Sequence, residues 1–221
     1  MRLITTFFDL NNIAFTLFNY PMSWLELTGT VTGLLAVWLS AREHIINWAI
    51  GLINIICFYV IFYRSALYSD MFLQIFFFGT GIYGWYEWSR RNTQDLPKIK
   101  IDLLKPKQRF LMILFIIINT IVLGHIISKL NTWYPQYFPQ PAAFPIADTA
   151  IMVMSMVANV LMARKKMEAW YLWVAVDILA PMLYFQKKLY FLSIEYVIFG
   201  IIAAYGLVTW QRIYKQQQMS L

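Results

Sequence analysis

Residues 163–170 read ARKKMEAW, and residues 41–48, lying 122 positions earlier, read AREHIINW. Ala, Arg and Trp coincide between the two stretches. At the same offset Leu67 and Tyr68 meet Leu189 and Tyr190. YGWYEWSR from Tyr83 then meets YGLVTWQR from Tyr205, matching Tyr, Gly, Trp and Arg without a gap. An apolar chain repeats Leu and Ile through composition alone, but composition does not keep two Trp and two Arg residues in one register. The chain is internally duplicated.

The duplicated material is membrane-like. Of 221 residues 60% are hydrophobic, 18% aromatic and only 13% charged, too little polar surface to clothe a water-soluble globule. Apolar runs of about 20 residues, enough to cross a roughly 30 Å hydrocarbon layer, recur along the chain. The expected spans are 22–41, 44–64, 68–88, 109–129, 145–163, 169–186 and 189–210. Each repeat therefore holds three spans, with one span between them. A single intervening span returns the second repeat in the orientation of the first, so the repeats are parallel and their pseudo-axis follows the membrane normal.

The expected fold is an all-α integral membrane protein of seven transmembrane helices, in a 3+1+3 SWEET-like arrangement. Its parts are an N-terminal interfacial segment (1–20), a first repeat (21–91), a connecting region (92–144), a second repeat (145–213) and a short tail (214–221). The connecting region holds a basic linker, the fourth span and an aromatic, proline-rich loop. The stretch MRLITTFFDLNNIAFTLFNYP at the N-terminus lacks the shape of a cleaved signal peptide, and an interfacial helix is expected there.

Thirteen of the 18 Lys and Arg residues fall on one side of this topology: Arg42, seven between 90 and 109, Arg164 to Lys166, Arg212 and Lys215. Arg2, Arg64, Lys129, Lys187 and Lys188 fall on the other. The positive-inside rule then places the N-terminus outside and the C-terminus in the cytoplasm. The same rule accounts for the net charge of +7 without a nucleic-acid partner. The single cysteine, Cys57, excludes internal disulfides and cysteine-based zinc sites. His44 and His125 have no acid at metal-ligand spacing, and no nucleophile elbow, zinc-protease or phosphate-loop motif occurs. No metal, cofactor or catalytic residue is expected.

Polar groups within spans carry the functional signal, because each is costly in lipid. Asn47, Gly51 and Asn54 share one face of the second span, and Gln74 lies in the third among Asp70, Phe77, Gly81 and Gly84. The sixth presents Trp170, Trp173, Asp177 and Tyr184 at i, i+3, i+7 and i+14. The seventh offers Glu195 and Tyr196. Trp48 and Trp170 suit an interfacial belt as well as a ligand contact. Asn54 and Gln74 suit bonds between helices. Glu26 at an outer boundary suits solvation, and Asp148 a helix N-terminus. Asp177 and Trp173 lie deeper. Asp177 reads as a ligand group or as half of a buried ion pair. Pro181, just beyond it, is expected to kink the span.

The pieces LLAVWLSAREH, NWAIGLINIICFYVIFYRSALYSDMFLQ, YGWYEW and ARKKMEAWYLWVAVDILAPMLYFQKKLY resemble the PnuC-type bacterial nicotinamide riboside transporters over roughly residues 22–213. The resemblance implies uptake of a vitamin nucleoside across the bacterial inner membrane by facilitated diffusion. A cytoplasmic nicotinamide riboside kinase would then trap the substrate. It implies alternating access by two bundles about a ligand cavity. It also implies ligand contacts from Trp170, Trp173 and Asp177, from Asn47 and Trp48, and from Leu67, Tyr68, Asp70 and Gln74. A homo-oligomer is compatible with it. Related transporters carry thiamine on the same scaffold, so a different vitamin is the alternative cargo. A substrate-capturing subunit that needs an energising partner is the alternative of another class.

Overall fold

The computed structural model describes residues 8–9, 11–17, 20–64, 68–90, 100–136, 141–142, 144–186 and 190–219. Arg2, Leu67, Arg91, Lys98, Lys187, Lys188 and Leu189, and part of the proline-rich loop at 137–140 and 143, lie outside them. Among the described residues a short hairpin precedes seven helices. These are α1 (Trp24–Ala41), α2 (Asn47–Arg64), α3 (Tyr68–Ser89), α4 (Pro106–Trp133), α5 (Pro145–Ala163), α6 (Glu168–Gln186) and α7 (Tyr190–Met219).

The hairpin corrects the expected N-terminal helix. Strands β1 (Ile13–Leu17) and β2 (Tyr20–Ser23) pair antiparallel; residues 1–7, 10 and 18–19 of that segment lie outside the described residues. Ile13, Phe15, Thr16 and Tyr20 are β-branched or aromatic and favour a pleated surface. The Trp24 amide donates to the Asn12 carbonyl at 3.1 Å, which ties the hairpin to the start of α1. Ser23 and Glu26 form a reciprocal capping box there, and the Tyr20 hydroxyl donates to Glu26 at 2.7 Å. Glu26 is thus the capping carboxylate of α1 rather than a freely solvated group.

Five helices (α1, α2, α4, α5 and α7) are long and apolar enough to cross a membrane. The other two, α3 and α6, have 22 and 19 residues and fall short in apolarity, not length. Both are rich in Trp, Tyr and polar groups, and both carry candidate ligand residues. Apolar side chains of α4 face outward, with Phe110 66% and Ile121 59% exposed, as a lipid-facing helix requires. Two helices outrun their expected spans. Pro106 starts α4 early with its fixed φ, and the helix-favouring QRIYKQQQ carries α7 to Met219.

The chain divides into two compact units, residues 1–100 and 101–221. In the first, α2 packs against both α1 and α3, and Leu25, Cys57 and Ile61 form the core with Phe8, Phe58 and Val60 around them. In the second, α4 packs on α5, α5 on α6 and α6 on α7.

The 122-residue offset recurs in the geometry. Arg42 ends α1 at φ −92°, ψ 8°, and Arg164 ends α5 at φ −92°, ψ 10°. Glu43 and Lys165 follow at φ 59° and 49°, the left-handed position of a Schellman motif, here without glycine. The His44 amide donates to Leu39 at 2.9 Å, as Lys166 does to Leu161. Trp48 meets Trp88 edge-on at 5.5 Å, and Trp170 meets Trp210 at 5.7 Å. Gly84 faces the Trp48 ring and Gly206 the Trp170 ring, at separations that leave no room for a Cβ. The matched Trp, Gly and Arg residues are therefore the joints of the fold.

Candidate functional site

On α6, Trp173, Asp177 and Tyr184 lie along one face. Val176, Ala180 and Leu183 of that helix form a core with Ile151 of α5, and Trp173, Tyr184, Tyr196, Phe144 and Met154 pack around it. Three of the aromatic side chains expected to meet a ligand, Trp173, Tyr184 and Tyr196, thus come together within the second unit. Tyr184 of α6 and Tyr196 of α7 lie 5.2 Å apart, tilted by 36°, and Phe199 meets Tyr196 edge-on at 5.9 Å. Their faces offer a flat, electron-rich surface.

Asp177 is 7% exposed. Gly200 of α7 stands opposite, and a Cβ added there would lie 3.2 Å from the Asp177 Cβ. The missing side chain lets the two helices close on the carboxylate. Among the described residues nothing donates a hydrogen bond to that carboxylate and no cation pairs with it. Neither α6 after Glu168 nor α7 up to Gln211 contains a Lys or Arg. Pro181 sits inside α6 without ending it; lacking an N–H, it also leaves the Asp177 carbonyl without its i+4 donor. Ser193 of α7 donates to the Pro181 carbonyl at 2.8 Å and fastens the two helices one turn further on. The result is a nearly buried carboxylate with no donor among the described residues, beside an aromatic cluster.

Other candidates have structural partners. Trp170 is fully buried against Trp210, and Trp48 is 6% exposed against Trp88. Among the described residues neither the Trp48 nor the Trp170 indole N–H has an acceptor, a feature the two repeats share. Neither ring lies in an exposed interfacial belt. The Asn47 amide donates to the His44 carbonyl at 2.7 Å within its own turn. The Asn54 amide donates to the Gly29 carbonyl of α1 at 2.8 Å, a bond between helices. In the first unit Gln74 of α3 is buried, at the position equivalent to Tyr196. Glu195 is 3% exposed on α7; as Tyr196's neighbour it points about 100° away from it.

A cluster absent from the sequence reading lies at the start of α6. Glu168 is buried, and its carboxylate accepts from the Leu104 amide at 3.1 Å and from Arg109 Nε at 2.7 Å. Lys166 Nζ donates to Asp102 at 2.6 Å. That bond holds the Asp102 carboxyl below the ordinary aspartate range. The one sequence signal was that Glu168 takes the place of Ile46 in the first repeat.

The sequence model of the nicotinamide mononucleotide transporter family matches residues 23–212. The nicotinamide riboside transporter PnuC of Escherichia coli (strain K12) is 36% identical over 206 residues, with 86% of each chain covered. The riboflavin/roseoflavin transporter RibM of Streptomyces davaonensis is 25% identical over 202 residues, covering 91% of each. A crystal structure of the vitamin B3 transporter PnuC superposes with a TM-score of 0.67 at 26% identity, covering 87% of this chain and 83% of that one.

Proposed function

The chain belongs to the nicotinamide mononucleotide transporter family, and from that premise we propose that it carries nicotinamide riboside into the cell by facilitated diffusion. It is a membrane transporter of nicotinamide riboside or a related vitamin, and not an enzyme, as the family and its relatives indicate. In the finer reading, α3 and α6 also span the bilayer in a 3+1+3 arrangement. The N-terminus lies outside, the C-terminus lies in the cytoplasm of a bacterial inner membrane, transport proceeds by alternating access, and a cytoplasmic kinase traps the product.

The observation that carries the substrate is the Asp177 carboxylate, nearly buried and lacking a donor or cation among the described residues. A charge in that position is costly until something balances it. The pyridinium of nicotinamide riboside supplies the balance. Trp173, Tyr184 and Tyr196 offer aromatic faces to the same flat cation, worth about 0.5–2 kcal/mol. A mononucleotide would bring its phosphate close to Asp177, with no Lys or Arg on the facing lengths of α6 and α7, and is rejected.

RibM supports a second reading, another vitamin on the same scaffold. Riboflavin is uncharged and leaves Asp177 unbalanced, which favours the first. Uptake of labelled nicotinamide riboside into liposomes holding this protein alone tests the proposal, with thiamine, riboflavin and the mononucleotide as competitors. Saturable uptake blocked by unlabelled riboside and not by the others is expected. Absence of uptake, or stronger competition by another vitamin, overturns it.

A further inference from the structure

The turn that opens α6 differs from its twin in the first repeat by one bolt. Residues 42–47 and 164–169 share their backbone geometry, but Ile46 is 46% exposed whereas Glu168 is 4% exposed. The linker before α4 covers the second turn. Asp102 donates its amide to the Lys165 carbonyl at 3.1 Å and accepts from the Met167 amide at 2.9 Å. Ile101 and Met167 are each 2% exposed at this junction. Both Glu168 oxygens lie 3.1 Å from the Leu104 amide, and Arg109 in the first turn of α4 closes on Glu168 at 2.7 Å. Asp102 and Lys166 add an ion pair at the edge.

One carboxylate therefore joins three pieces of chain: the linker backbone, the start of α4 and the first residue of α6. It also sits where a negative charge meets the positive end of the α6 dipole. Trp173 and Asp177 stand on the same helix, about 8 and 14 Å along its axis at 1.5 Å per residue. A helix transmits an error in the setting of its end to every side chain beyond it, and ligand groups need placement within about 0.5 Å. From this we infer that Glu168 is a positioning residue: through Arg109 and Leu104 it fixes the entry of α6 and so the placement of Trp173 and Asp177. The inference rests on the transport reading for its ligand, but not for its geometry. The first repeat has Ile46 in place of the Glu168 carboxylate and carries a glycine and an isoleucine, Gly51 and Ile55, at the positions equivalent to Trp173 and Asp177.

Two variants test it, Glu168→Gln and Arg109→Ala; the Arg109 side chain is 45% exposed, so its removal leaves no cavity in the core. Nicotinamide riboside affinity is measured on monodisperse protein, per folded molecule, and hydrogen exchange is followed along α6 without ligand. The expected result is a Kd weakened by about tenfold in Arg109→Ala, with faster exchange reaching Trp173 and Asp177. The double variant should be no worse than the poorer single one, since both break one junction. An unchanged Kd in the folded fraction overturns the inference, even if stability falls, because a merely structural junction would behave so. If wild-type protein binds no riboside, the substrate reading fails and exchange alone decides. Acceleration through Asp177 then upholds the positioning role, and acceleration confined to residues 164–168 overturns it.

Discussion

The two repeats agree where the chain turns and differ where a ligand is expected. Arg42 and Arg164, Trp48 and Trp170, and Gly84 and Gly206 perform the same tasks at the same offset. Against them, Gly51 becomes Trp173, Ile55 becomes Asp177, Gln74 becomes Tyr196 and Ile46 becomes Glu168. Shared residues build the bundle twice, and in the proposed reading the unshared ones give one copy its chemistry. Even the matched turns are secured differently. Arg42 lies 4.0 Å over the Trp38 ring, whereas the second turn is held by the linker and Glu168.

The largest test of this division is the pair Gly84→Ala and Gly206→Ala. A Cβ at Gly206 would meet the Trp170 ring at 2.7 Å, and one at Gly84 would overlap Trp48. Each substitution should destabilise by about 1–3 kcal/mol through overpacking, to similar extents, in thermal unfolding of the detergent-purified protein. A large cost in one repeat and none in the other breaks the comparison.

A smaller effect is expected from Asn54→Val, which gives the first repeat the residue found at Val176. The bond to Gly29 is lost, at about 0.6 kcal/mol, a typical value for such bonds in membranes. Riboside affinity should stay within about twofold; a larger loss would return Asn54 to the ligand site.

The smallest concerns Asp102. Bonded to Lys166, its folded-state carboxyl titrates below the ordinary value of 3.8. Its contribution is therefore complete above pH 3.8 and is lost as pH falls through the lowered folded value. Because the pair is solvent-exposed, Asp102→Asn should cost under about 1 kcal/mol at pH 7. Wild type and variant should begin to approach each other below pH 3.8 and converge only once pH has fallen through the lowered folded value, as a pH series of unfolding midpoints would show.

The scaffold was legible because Trp, Gly and Arg held one register and because bilayer thickness sets helix length. Trp173 and Asp177 stood out as candidates because polar groups are rare in spans. The hairpin at 13–23 was not, since Ile, Phe and Tyr suit an interfacial helix and a strand alike. The bonds of Asn54 were ambiguous, since one amide serves a neighbouring helix or a ligand equally. The Glu168 junction escaped entirely: its partner Leu104 lies 64 residues away, and an acid at a span end reads as solvated.

The central claim is that recognition resides in the unshared positions, and Asp177 tests it most directly. Labelled nicotinamide riboside uptake into liposomes is to be compared for wild type, Asp177→Asn and the repeat counterpart Ile55→Val. Removing one partner of a buried charge pair costs about 2 kcal/mol or more, so Asp177→Asn should lower kcat/KM at least about 30-fold. Ile55→Val should remain within about twofold of wild type. Wild-type uptake by Asp177→Asn would contradict the account.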